Sequence, residues 1–233
     1  MEEQKTALRS RMRWWESTAA LLWIPVHLLG LPLLLATLRP RMGMSTLNFL
    51  VYAIGAVYLG TLCIRFLRRD FETFCDQLPG ILVKILIFYG YMILANILVS
   101  QILNLLPLDQ NPNNEAVLDL AAEEGGKTIA MAVFLAPLLE ELMFRAGLFG
   151  LLRRFSRVLA YAACILLFAA YHVWAYALEE PLYWALMLQY VPVTFLLCRI
   201  YEKTETIWAS ILMHMLVNAV SLWALSMLRG LSL

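Results

Sequence analysis

Seven apolar stretches, each about 20 residues long or longer, dominate this chain of 233 residues. An α-helix needs about 20 consecutive apolar residues to cross the hydrocarbon core of a bilayer. Only 15% of the residues are charged, well below the roughly 25% of soluble domains. The stretches cover residues 18–38, 46–67, 78–106, 128–150, 158–178, 182–200 and 206–228. The sequence therefore predicts an all-α, polytopic transmembrane helix bundle with about seven spanning helices.

A polar connector separates the third stretch from the fourth. It covers residues 107–127 and contains Asn-Pro-Asn-Asn and a Gly-Gly pair, which are signals of turns and chain breaks. We expect a single integral membrane domain over residues 1–233. The connector divides it into three front helices (1–106), a polar external loop (107–127) and a four-helix catalytic core (128–233).

The basic residues are distributed unevenly between the two sides of the predicted bundle. With the N-terminus inside, cytoplasmic segments hold twelve of the 18 Lys and Arg residues, namely Lys5, Arg9, Arg11, Arg13, Arg65, Arg68, Arg69, Arg153, Arg154, Arg157, Arg199 and Lys203. The opposite side holds four, namely Arg39, Arg41, Lys127 and Arg229. The positive-inside rule then places the N-terminus in the cytosol and the connector outside. The net charge of +1, without a basic patch, indicates no nucleic-acid partner.

Three short polar patterns lie inside apolar stretches of the predicted core. Ionisable groups are costly in hydrocarbon, so they normally face the interior of a bundle and mark a functional site. The patterns are Glu140-Glu141-Leu142-Met143-Phe144-Arg145, Phe168-Ala169-Ala170-Tyr171-His172 and His214-Met215-Leu216-Val217-Asn218.

The two glutamates of the first pattern are expected to have different roles. Successive residues of an α-helix are turned by about 100°, so Glu140 and Glu141 cannot point in the same direction. Arg145 follows Glu141 by four residues, the spacing at which a carboxylate and a guanidinium meet on one helix face. Glu141 and Arg145 are therefore predicted to form a supporting ion pair. Glu140 has no such partner and is the candidate for chemistry.

The other two patterns supply two imidazoles and a carboxamide. Phe168 and His172 share one helix face, as do His214 and Asn218, because four residues separate each pair. Counted from the predicted helix ends, Glu140 and these polar groups lie at comparable depths, so we expect them to converge. Such a set suffices for peptide hydrolysis, with Glu140 and His172 activating a water molecule. His214 and Asn218 could then donate hydrogen bonds to the developing oxyanion.

The three patterns, in this order, resemble the motifs of the CAAX protease and bacteriocin-processing family, also called the Abi family. Residues 128–222 carry the resemblance, including the stretch 206–211 before His214. It implies an intramembrane endopeptidase, similar to type II CAAX prenyl endopeptidases, in a bacterial-type plasma membrane. The implied substrate is a protein or peptide at the membrane, prenylated in the CAAX case. The implied site opens toward the cytosol, with Glu140 and His172 on the water, His214 and Asn218 at the oxyanion, and Glu141 and Arg145 in support.

Other interpretations of the same residues remain open. The polar groups could be struts between helices, or the chain could be a non-catalytic scaffold or bacteriocin-immunity protein of the same family. A proton or ion pathway is a further alternative, although the chain lacks the repeated broken helices of many transporters. For the chemistry itself, we expect no obligatory metal. This expectation rests on the absence of a His-Glu-x-x-His helix from the sequence. Zn²⁺ bound by Glu140, His172 and His214 is the alternative.

Overall fold

The computed structural model describes residues 8, 10–108 and 111–230. Lys5 and Arg9 of the predicted cytoplasmic charge, and residues 109–110 of the predicted connector, lie outside the described residues. In the described part, helices follow one another in the order α1 (Trp14–Leu38), α2 (Met44–Leu62), α3 (Ile64–Asp76), α4 (Leu78–Leu103), α5 (Pro112–Ile129), α6 (130–152), α7 (Arg157–Glu179), α8 (Pro181–Thr204) and α9 (Ile207–Arg229). No strand occurs among these residues. The predicted all-α class is confirmed.

Six of these helices are long and apolar enough to cross a membrane, namely α1, α2, α4, α7, α8 and α9. The remaining predicted spanning segment, residues 128–150, is the helix α6. It contains Glu140, Glu141 and Arg145, and every residue from 139 to 150 is buried. The arrangement agrees with the expectation of about seven spanning helices, with the most polar one enclosed by the others.

Close helix packing surrounds α6. A Cβ atom at Gly147 would lie 3.1 Å from Cβ of Ala20, so this glycine allows α1 to approach α6. A Cβ atom at Gly55 would lie 2.7 Å from Cδ2 of Leu139, so this glycine of α2 leaves room for the leucine side chain of α6. Small residues of this kind let membrane helices pack at short distance. The part of α6 that carries the buried charges is thereby packed closely against α1 and α2.

One end of the bundle carries most of the basic residues, and we call it the basic end. It consists of residues 10–13, α3, residues 153–157 and the turn between α8 and α9. Arg153, Arg157 and Arg199 surround the carboxylate of Glu202 there, with N–O distances of 2.8, 2.8 and 2.9 Å. The backbone carbonyl of Asp70 accepts a hydrogen bond of 2.8 Å from Thr206, which joins α3 to the start of α9. The segments predicted to share one side thus meet in the fold.

The opposite end carries the connector, and we call it the connector end. The prediction of a loop over residues 107–127 is wrong for most of its length, because α5 begins at Pro112. Asn111 caps this helix by accepting a hydrogen bond of 3.0 Å from the backbone N–H of Asn113, and proline is well tolerated in a first helical turn. The Asn-Pro-Asn-Asn sequence therefore starts a helix. The one non-helical residue within α5 is Glu124, just before the Gly-Gly pair.

Candidate active site

Glu140 occupies the inner end of a cavity of about 390 Å³ between the helices. Its side chain is almost fully buried, and Oε2 lies 3.9 Å from Nε2 of His172 and 3.8 Å from Nε2 of His214. His172 comes from α7 and His214 from α9, so three helices bring these groups together. Asn218 lines the same cavity. The four side chains that the sequence singled out for chemistry thus surround one space.

His172 is oriented by its own helix and by one tyrosine. Its Nδ1 atom lies 2.8 Å from the backbone oxygen of Phe168. A carbonyl oxygen only accepts, so Nδ1 carries the proton and Nε2 of the neutral ring presents a lone pair toward Glu140. The ring stacks on Tyr190, with centroids 4.5 Å apart. Phe168, which the sequence placed on the same helix face as His172, thus supports this histidine through its carbonyl group.

His214 is oriented by Glu141. The Nδ1 atom lies 2.8 Å from Oε1 of Glu141, and a carboxylate oxygen accepts, so Nδ1 again carries a proton. Nε2 therefore faces Glu140 from the other side of the ring. Carboxylates commonly fix the tautomer and direction of a functional histidine in this way.

The predicted pair of Glu141 and Arg145 is present and fully buried, with Nη1 of Arg145 3.1 Å from Oε1 of Glu141. The guanidinium carbon also lies 4.2 Å from the ring centroid of Phe168, a cation–π contact. Sequence reasoning missed Ser210, whose hydroxyl donates a 2.5 Å hydrogen bond to Oε2 of Glu141. The sequence feature that could have indicated Ser210 is its position four residues before His214, on the same face of α9. Glu141 therefore holds Arg145, Ser210 and His214 together.

Asn218 is anchored by a backbone carbonyl group. Its Nδ2 atom donates a hydrogen bond of 2.8 Å to the oxygen of Ala132. Ala132 lies in the π-helical turns Ala130–Leu135 of α6. A carboxamide has two N–H groups, so one of them stays free for the cavity.

Tyr52 is a contact of Glu140 that the sequence did not reveal. Its hydroxyl lies 3.3 Å from Oε1 of Glu140 and 3.3 Å from the hydroxyl of Tyr171. Tyr171 directly precedes His172 and could have been suspected from that position. Tyr52 lies on α2, 88 residues before Glu140, where no motif surrounds it. The front helices therefore contribute to the candidate site.

The three residues that would hold zinc in the alternative interpretation, Glu140, His172 and His214, have suitable chemistry but a wide spacing. Two imidazoles with anchored Nδ1–H groups and one carboxylate are a donor set that zinc uses. Tetrahedral Zn–N and Zn–O bonds of about 2.0–2.2 Å put ligand atoms about 3.3–3.5 Å apart. The separations from Glu140 are 3.8 and 3.9 Å. Among the described residues, no group of three or more His, Cys, Asp or Glu side chains is arranged as a metal site.

The cavity extends from Glu140 toward the connector end. On α6 it is lined by Met131, Ala132 and Ala136, which precede Glu140, and on α9 by Ser221, Leu222 and Leu225, which follow His214. Two predictions from the sequence therefore exclude one another in this fold. If the basic end is cytoplasmic, the cavity does not open toward the cytosol, although the family resemblance implied that it would.

The fold and the buried acid–histidine cluster define an integral membrane protein of helical type with an enclosed polar site. Residues 127–220 match the family described as Type II CAAX prenyl endopeptidase Rce1-like. This segment contains all three polar patterns, and the resemblance to the CAAX protease family is thereby confirmed. Neither the curated proteins nor the solved structures include a significant match to the chain.

Proposed function

We propose that the protein is an intramembrane endopeptidase that hydrolyses a peptide bond of a membrane-associated or lipidated protein or peptide. The observation that carries the proposal is the convergence of Glu140 with the Nε2 atoms of His172 and His214 inside one cavity. A carboxylate beside two imidazoles is suited to moving a proton from water to a leaving amine. The match to a family of endopeptidases supports the same assignment.

In the proposed reaction, Glu140 and His172 orient a water molecule. Glu140 takes one proton as the water oxygen attacks the carbonyl carbon of the substrate. The C–N bond then breaks, and the leaving nitrogen receives that proton. Water is added across the peptide bond, so the reaction needs no further reactant.

His214 and Asn218 are the proposed donors to the oxyanion. A single donor of this kind contributes about 3–4 kcal/mol in soluble proteases. The Nδ1–H of His214 already donates to Glu141, so only a proton on Nε2 can serve the oxyanion. The ring then carries a positive charge, which the carboxylate of Glu141 balances from the opposite side. Asn218 contributes the N–H group that Ala132 leaves free.

The test compares protein N-termini in cells that produce wild-type protein or the Glu140→Gln variant. Glu72→Gln, which changes an exposed glutamate of α3 in the same way, is the matched control. We expect cleavage products that depend on Glu140 and persist in the control. If Glu140→Gln folds like wild type and no product is lost, the proposal is overturned in favour of the scaffold or immunity alternative.

A further inference from the structure

The cavity has a closed floor at the level of Glu140. Beyond this residue, toward the basic end, α6 continues with Leu142, Met143 and Phe144, which are at most 1% exposed. Arg145 and Phe149 are fully buried as well. Among the described residues, the packed side chains therefore leave no path for a substrate to Glu140 from the basic end. The cavity lining leads only toward the connector end.

The charges of the two ends indicate which side of the membrane each faces. Ten of the twelve basic residues predicted to be cytoplasmic are among the described residues, since only Lys5 and Arg9 are not. The segments that carry them meet at the basic end, as the contacts of Glu202, Thr206 and Asp70 show. Short segments rich in Lys and Arg stay in the cytosol. The connector end then faces the extracytoplasmic side.

The chemistry of the cavity wall restricts what can bind there. Among the described residues that line it, none is Lys or Arg, and Glu140 is the one carboxylate. Six carboxamides line it instead, namely Asn96, Asn111, Asn113, Asn114, Gln189 and Asn218. Carboxamides donate and accept hydrogen bonds, as a peptide backbone does. A free C-terminal carboxylate would find no Lys or Arg on this wall, and the positive charge that His214 carries in the proposed reaction is already balanced by Glu141. Burying an unpaired charge is costly.

From these three observations, and resting on the proposed function, we infer that the substrate is an uncharged internal stretch of peptide that reaches Glu140 from the extracytoplasmic face through the carboxamide-lined mouth. The hydrolysed bond then lies within a chain segment exposed on that side of the membrane. This differs from the cytosolic, C-terminal substrates that the name of the matched family suggests.

The first test measures access with a membrane-impermeant maleimide, applied to intact cells that produce the Asn114→Cys variant. Asn114 lines the mouth, and Cys75 is an exposed native cysteine on α3 at the basic end. Labelling is quantified for each cysteine by mass spectrometry. Cys63, Cys164 and Cys198 are buried and do not need replacement. We expect label at position 114 in intact cells and at Cys75 only after permeabilisation. Any other pattern overturns the inference.

The second test uses the cleavage sites that depend on Glu140 in the comparison of wild type with Glu140→Gln. The inference predicts uncharged internal sites in extracytoplasmic segments. Sites in cytosolic segments, or next to a prenylated C-terminus, would overturn the inference and leave the proposed protease intact. The absence of any Glu140-dependent site would overturn the protease itself. The two failures are therefore distinguishable.

Discussion

His214 binds Glu141 through Nδ1, at 2.8 Å from Oε1, and this contact leaves Nε2 as the only ring nitrogen that can face the cavity. The neighbouring Glu140 contacts the same ring from the cavity side. Two consecutive carboxylates thus differ in role because one is part of the packed interior and the other lines a cavity. Glu141 orients His214 and balances Arg145. Glu140 faces the cavity and is the group proposed for proton transfer.

Replacing Arg145 with alanine should lower stability strongly. The carboxylate of Glu141 would remain buried without its cation, and removing one partner of a buried pair costs about 3–5 kcal/mol. Thermal melting in detergent measures the effect. Arg68→Ala, at an exposed arginine of α3, is the matched control and should melt like wild type. An Arg145→Ala protein as stable as the control would contradict the structural role of the pair.

Replacing Tyr52 with phenylalanine should slow cleavage while leaving the fold intact. The change removes one hydroxyl contact to Glu140, and a hydrogen bond of this kind contributes about 1 kcal/mol, which corresponds to about a fivefold change in rate. The measurement is the rate of formation of a Glu140-dependent product. Tyr58→Phe, at an exposed tyrosine of the same helix, should have the wild-type rate. Equal rates for the two variants would show that Tyr52 does not act on Glu140.

The Asp70→Asn variant should remove a pH dependence of stability at the basic end. Asp70 accepts hydrogen bonds from Ser10 and from the backbone N–H of Ile207. Burial nevertheless raises the pKa of this carboxyl above its ordinary value. The folded state therefore holds the proton more tightly than the unfolded chain. The contribution of Asp70 to stability is complete below the unfolded pKa of about 4 and is lost as the pH rises through the folded pKa.

Melting temperatures of wild type and Asp70→Asn, measured from about pH 4 to pH 7, test this expectation. The wild type should lose stability relative to the variant as the pH rises, because asparagine does not titrate. Asp76→Asn controls for the loss of an exposed carboxylate on the same helix. A difference that is constant over this range would refute the assignment.

Chelation should leave cleavage unchanged, since we expect a water molecule activated by Glu140 without an obligatory metal. The measurement pairs metal analysis of the purified protein with cleavage assays before and after chelator treatment. Stoichiometric zinc whose removal abolishes cleavage, and whose return restores it, would reverse this expectation. Glu140, His172 and His214 would then be the ligands.

The sequence was informative where a short local pattern carries the information. The length of an apolar stretch predicts a spanning helix because the hydrocarbon core of a bilayer has a nearly fixed thickness. Spacing within one helix predicted the contact of Glu141 with Arg145. Contacts between helices that are far apart in the sequence produce no local pattern of this kind. For that reason the contact of Tyr52 with Glu140 was not predicted. The start of α5 was missed because Asn and Pro occur both in loops and at helix N-termini, and only the tertiary context distinguishes the two.

The closed floor of the cavity also concerns the energy supply of the cell. A polar cavity inside a membrane protein reduces the thickness of apolar material that insulates one side of the membrane from the other. If a continuous chain of water molecules crossed the remaining part, the transmembrane potential would drive protons through it. The buried residues 139–150 of α6 interrupt such a chain of water. The fixed positive charge of Arg145, held by Glu141, adds a further obstacle to cations. The proposed hydrolysis inside the bilayer is thereby compatible with a membrane that remains electrically tight.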